Sequence, residues 1–155
     1  MISPFVKVQQ EDFDLQTEID RLTQGRLDVG AVVTFSGLCR DDGGTLGALE
    51  LEHYPGMAEA EITRIANLAI ERFGLLGLTA IHRYGKIVPG ENIVLVIAAA
   101  PHRQAAFDGA NFVMDFLKTS APFWKKEHAK EGKAGDWISA KDADDTARAK
   151  WDGKK

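Results

Sequence analysis

The sequence predicts an α+β fold whose sheet is largely antiparallel. Strand-like and helix-like stretches follow one another irregularly, unlike the regular strand–helix alternation of a doubly wound sheet. Several strand candidates alternate polar with apolar residues, as strands with one solvated face do. The chain has 155 residues, 45% hydrophobic and 27% charged, which suits one domain around a full core.

Phe5 to Val8 reads as a short strand. Phe13 to Leu22 sets Leu15, Ile19 and Leu22 on one helical face, and Gly25 follows as a stop. Gly30 to Gly37 is a strand between glycines, and Leu38 to Gly44 a polar, flexible loop. Leu46 to Tyr54 alternates Leu49, Leu51 and His53 with Glu50 and Glu52, a half-buried strand. Pro55-Gly56 turns the chain into a helix over Ala58 to Phe73, with Ile62, Ile65 and Ala69 inward. Leu78 to Tyr84 is a strand. Pro89-Gly90 predicts a hairpin between Lys86–Val88 and Ile93–Ala100, the longest apolar run. A third helix, Arg103 to Lys118, carries Phe107, Ala110, Met114 and Leu117 on one stripe. Pro122 suits the first position of a further short helix, which Thr119 or Ser120 would cap. Beyond Trp137-Ile138 the chain turns polar, so residues 1–141 are expected to form the single domain and 142–155 a polar, partly disordered tail.

The formal net charge is −4, so a nucleic-acid partner is disfavoured; phosphate contact needs a basic face. A cationic site here is a local island, suited to a small anionic ligand. The single cysteine, Cys39, excludes an internal disulfide framework and points to a reducing, cytoplasmic setting. No signal-peptide run follows Met1, and no stretch is long enough to span a membrane. His53, His82 and His128 lack metal-ligand spacing. P-loop, GxGxxG and GxSxG patterns are absent too, so neither metal nor cofactor is expected.

The segment Met114 to Glu127 is the most informative. It sets Lys118, Lys125 and Lys126 among Phe116, Leu117, Phe123 and Trp124. Two readings are open for it. The lysines snorkel off the core face of a helix end, or aromatic walls strip their water and make them acids, bases or anion clamps. Lys118 and Lys125 lie seven residues apart, and Pro122 interrupts the helix between them. Lys118 then ends one helix and Lys125 begins the next, both flanking one pocket, with Phe123 and Trp124 keeping it dry. A lysine at a helix start opposes the dipole and needs an anion, either Glu127 or a ligand. His102-Arg103 stands at a strand-to-helix junction, where backbone N–H groups receive anions; an ordinary surface turn is the alternative. Arg40 sits in the glycine-rich loop, as a ligand clamp or a solvated side chain. Cys39 is either a sulfur-handling nucleophile or, with no base next to it in the sequence, a plain, partly buried cysteine, the reading its neighbours favour.

Several strings appear in a fixed order: Gly30-Ala-Val-Val-Thr-Phe-Ser-Gly37, Arg40, Leu51-Glu-His-Tyr-Pro-Gly-Met57, His102-Arg103 with Ala106-Phe107, Met114-Asp-Phe-Leu-Lys-Thr119, and Ala121-Pro-Phe-Trp-Lys125. Together they resemble the large, catalytic subunit of molybdopterin synthase, from about Gly30 to Lys141. The resemblance implies an α/β hammerhead fold with an additional antiparallel sheet. It implies a homodimer at the centre of a heterotetramer, with a small ubiquitin-like sulfur carrier at each end. The carrier's C-terminal Gly-Gly thiocarboxylate would supply two sulfurs to cyclic pyranopterin monophosphate, forming the dithiolene of molybdopterin. It further implies that Lys118 is the main catalytic residue and that Lys125 assists. Leu38, Cys39, Arg40, His102, Arg103, Lys126, Glu127 and Lys141 fall at or beside the substrate-binding positions. Two departures stand out. Leu38 replaces a basic residue of some relatives, and Lys141 stands where an arginine would reach the neighbouring subunit's pocket, keeping the charge but losing the bidentate fork.

Overall fold

The computed structural model describes residues 2–41, 43–130 and 138–139. In chain order the elements are β1 (Phe5–Gln9), α1 (Leu15–Thr23), β2 (Ala31–Leu38), β3 (Leu46–His53), α2 (Met57–Phe73), β4 (Gly77–Arg83), β5 (Gly85–Ile87), β6 (Asn92–Ala100), α3 (Arg103–Ser120), β7 (Phe123–Ala129) and β8 (Ile138–Ser139). They form two four-stranded sheets, ordered β1-β4-β6-β2 and β5-β3-β7-β8. Among the described residues only the β1–β4 pair is parallel. The fold is the expected α+β arrangement with an additional antiparallel sheet.

The first sheet is buried on both faces at its centre, which explains why β6 is almost wholly apolar and why β4 carries Leu78, Ala80 and Ile81. Leu78, Ala80, Val94, Val96 and Ala98 face α2 and α3. The alternate residues Ile81, Leu95 and Ile97 meet Phe5, Phe13, Ile19 and Leu22, closing a smaller core beneath α1. This is period-two alternation with both sides covered. In α2 the inward stripe is Ile62, Ile65, Ala66 and Ala69, and Gly74 ends the helix in the left-handed region. The α1 helix begins at Asp14, whose carboxylate accepts from the Thr17 N–H at 3.0 Å. Buried Arg83 ties β4 to its surroundings, donating to the backbone carbonyls of Gln10 and Asn92.

Three expectations are corrected. The hairpin does not form, although the Pro89-Gly90 turn does: Gly85, at φ 90°, swings the chain into the second sheet, where β5 pairs with Leu49–Leu51 of β3. The Pro89-Gly90 turn instead exchanges backbone hydrogen bonds with Cys39 at the end of β2. The segment after Pro122 is a strand, not a helix. Proline holds Ala121 extended (ψ 132°), and the chain continues extended along the free side of β3. Thr119 caps nothing; its hydroxyl donates back to the Asp115 carbonyl inside α3. Finally, Phe107 is 57% exposed, because the buried stripe of α3 runs through Ala106, Ala110, Val113 and Leu117, one residue round from it. The expected tail, Lys141 included, lies outside the described residues.

Candidate active site

A pocket of about 160 Å³ opens where the two sheets meet. The ends of β2 and β4, the start of β6, the last turn of α3, β3 and β7 all contribute to its wall. Most of the lining is apolar: Phe35, Leu38, Leu49, Leu51, Ile93, Val94, Met114, Leu117 and Phe123. Its polar side chains are Lys118, Lys125 and His82.

The two lysines arrive by different routes. Lys118 sits in the last turn of α3, where a cation is favoured by the helix dipole. The chain reverses through Ala121-Pro122, and β7 brings Lys125 back opposite Leu51 of β3. Strand alternation sends Phe123 and Lys125 to the pocket side and Trp124 to the other, where its ring meets Tyr54 edge-on at 4.9 Å. Lys125 is therefore on a strand, and the conflict with a helix dipole does not arise. Of the two aromatic residues expected to dry the pocket, only Phe123 lines it. Lys118 is exposed at the rim, so within one chain no aromatic wall strips its water; Lys125 is half-buried.

His82 is the residue that sequence reasoning missed. Its ring stacks on Phe123, with centroids 3.9 Å apart and planes 17° apart. Its Nδ1 lies 2.9 Å from the Arg83 carbonyl oxygen. Burial pushes its pKa down to about 4, and electrostatic interaction with Lys118 and His53 adds to the effect. His53 lies across Phe123, at 5.9 Å, and packs on Tyr84 at 4.4 Å, with its Nδ1 buried and unpartnered. The available signal was an imidazole directly after the mostly apolar run Leu78 to Ile81; the histidines were weighed only for metal spacing.

The other expected residues are placed differently. Leu38 lines the pocket. Cys39 is buried with Leu51 and Ile87, its Sγ 3.7 Å from the Ile87 carbonyl oxygen. Burial raises its pKa, as do Glu91, Asp41 and Glu127, so it stays a thiol and is a plain buried cysteine. Arg40 is exposed just beyond it. Lys126 lies on the opposite face of β7 from Lys125, and exposed Glu127 stands opposite Leu49; neither lines the pocket. His102 and Arg103 are exposed at the start of α3. Fifteen residues of helix at ~1.5 Å each put Arg103 about 22 Å from Lys118. A single chain thus joins Lys118, Lys125 and Leu38, and leaves His102 and Arg103 far away. Among the described residues no group of three His, Cys, Asp or Glu side chains could hold a metal ion. No helix among them is long and apolar enough to cross a membrane.

Residues 8–120 match the profile of the family described as MoaE protein. The chain is 70% identical over 146 residues to the molybdopterin synthase catalytic subunit of Rhizobium meliloti, covering 94% of each. Among solved structures it resembles the molybdopterin biosynthesis MoaE protein of Burkholderia ambifaria, with TM-score 0.84, 41% identity, and coverage of 96% of this chain and 98% of that one. It shares its fold, at TM-score 0.70 and 19% identity, with a chain from the complex of subunits 1 and 2 of the molybdopterin-converting factor of Helicobacter pylori; the match covers 88% of this chain and 90% of that one.

Proposed function

The chain belongs to the MoaE family, whose relatives are molybdopterin synthase catalytic subunits of molybdenum cofactor biosynthesis, and we propose that it carries out the sulfur transfer of that synthase. The donor is the C-terminal thiocarboxylate of a small ubiquitin-like carrier, and the acceptor is cyclic pyranopterin monophosphate. The observation that carries this reading is the convergence of Lys118 and Lys125, from α3 and β7, on one apolar pocket.

Forming each carbon–sulfur bond expels oxygen, and opening the cyclic phosphate frees an anion. Both steps develop negative charge. Preorganised cations in a low-dielectric pocket stabilise such charge far better than water-exposed ones. Lys118, at the rim, acts as general acid/base beside the reacting carbon. Lys125, deeper, neutralises the phosphate. A narrow apolar pocket suits a Gly-Gly tail, which brings no side chains. Sulfur arrives on the carrier, so buried Cys39 is not a relay.

The distance to His102 and Arg103 supports a homodimer with composite sites. The outer edge of β2 has no pairing strand among the described residues, and Val32 and Phe35 are 37% and 40% exposed. β2 begins beside the start of α3, where the Gly30 N–H donates to the Ala100 carbonyl, and ends at the pocket with Gly37 and Leu38. A second copy related by a two-fold axis across this edge runs the opposite way. Its His102 and Arg103 then meet the first copy's pocket, supplying the anion clamp one chain lacks. The carrier subunit binds at the outer ends; the Helicobacter pylori protein of the same fold is in complex with a second subunit.

The test is formation of the dithiolene from cyclic pyranopterin monophosphate and thiocarboxylated carrier. Lys118→Ala is expected to abolish product while leaving the far-UV spectrum and carrier affinity intact. Turnover near the wild-type rate in that variant would sink the assignment.

A further inference from the structure

Among the described residues, the pocket holds two ammonium groups and only one strong side-chain hydrogen-bond acceptor. Lys118 and Lys125 can only donate, and every other lining side chain except His82 is apolar, with the Met114 thioether a weak acceptor at most. We propose that His82 is a positioning residue for Lys118, its Nε2 accepting a hydrogen bond from the lysine and holding the ammonium over the pocket. This rests on the role assigned to Lys118 above.

The geometry fixes both the tautomer and the ring. A backbone carbonyl cannot donate, so the 2.9 Å contact between His82 Nδ1 and the Arg83 oxygen places the proton on Nδ1. The remaining lone pair is on Nε2, which has no hydrogen-bond partner among the described residues in the present rotamer of Lys118, although the ring lines the pocket. That carbonyl belongs to a residue locked by its own two hydrogen bonds, to Gln10 and Asn92. The stack on Phe123 sets the ring plane and crosses from the first sheet to the second. His82 is thus held from both sheets, whereas Lys118 is exposed at the end of a helix.

The groups around the imidazole keep it neutral. Lys118 on α3 and His53 on β3 both disfavour its protonation, and burial is the larger cause. Lys125 on β7 brings a second ammonium group to the same pocket. Its strand partners, Val8 on β1 and Val94 on β6, are apolar. An acceptor that stays neutral can serve an ammonium group without competing for its proton. A carboxylate there would instead form an ion pair and repel the anionic substrate.

Two variants and one spectrum test the inference. His82→Phe keeps a ring on Phe123 but removes the acceptor. It is expected to lower kcat roughly ten- to hundred-fold, with KM and carrier affinity little changed, as for loss of one hydrogen bond to a charged group. His82→Gln, which restores an acceptor, is expected to recover most of that loss. In 15N spectra of the whole protein, His82 should show a protonated Nδ1, and its Nε2 resonance should move in Lys118→Ala. Wild-type kcat in His82→Phe, failure of His82→Gln to exceed it, or an Nε2 resonance indifferent to Lys118→Ala would each overturn the inference. Those results leave the role of Lys118 standing if Lys118→Ala is inactive. Turnover by Lys118→Ala would instead remove the reading on which the inference rests.

Discussion

At the scale of single residues, environment decides what each ionisable group does. Cys39 and His82 show this most plainly. Both are candidates for chemistry by type, and burial disfavours the charged form of each. For the thiol that means inertness, since the thiolate is the nucleophile. For the imidazole it means a dependable acceptor. The same shift has a stability consequence. The folded pKa of His82 is about 4, against 6.5 unfolded, so between those values the unfolded chain binds a proton that the folded chain refuses. Stability therefore falls as pH drops from 6.5 towards 4, by about 3 kcal/mol at most from this group. Urea unfolding at pH 7, 5.5 and 4.5 should show a shallower acid loss for His82→Phe than for the wild type. Parallel profiles would mean that His82 protonates freely in the folded state. Cys39 was legible in the sequence as a plain cysteine, because no base stood near it. His82 was not, because its value comes from Phe123 and Lys118, both over 35 residues away in the chain.

At the scale of elements, periodicity foretold most of the structure. The helices α2 and α3 and the strands β2, β3, β4 and β6 lie within a residue or two of their expected places. The failures are the pairing of β5, expected as a strand but in a hairpin with β6, and the conformation of β7. Each pairs with β3, which offers a partner on either side. Pro122 marks the break after α3 but does not dictate the conformation beyond it; an edge with free hydrogen-bonding groups does. The start of β2 is more tightly specified. A Cβ at Gly30 would stand 2.1 Å from the Pro101 carbonyl oxygen, a backbone atom that cannot rotate away. Gly30→Ala must shift β2 against the β6–α3 junction and is expected to cost on the order of 1–3 kcal/mol. Thermal unfolding reads this directly, and an unchanged Tm would show that the junction yields freely. Because β2 leads from that junction to the pocket, turnover should fall as well.

At the scale of the whole molecule, the proposed composite site makes a sharp demand. If one copy supplies Lys118 and the other Arg103, Lys118→Ala and Arg103→Ala are each inactive alone. Mixed under conditions that let copies exchange, half the dimers are mixed, and each mixed dimer has one intact site. Activity should therefore return to about a quarter of the wild-type level. No recovery would place both residues in one chain's site, against the ~22 Å that α3 puts between them. The sequence by itself determined the helical and strand periods, the apolar core, and the Lys118–Lys125 pair astride Pro122. These are local signals, since the burial of a residue repeats with the geometry of its own element. Only the tertiary structure decided that Lys125 rides on a strand, that His82 enters the same pocket, and that His102 and Arg103 do not. Those outcomes depend on which strand edges pair and how the two sheets meet. Such contacts join residues far apart in the chain, and no local pattern encodes them.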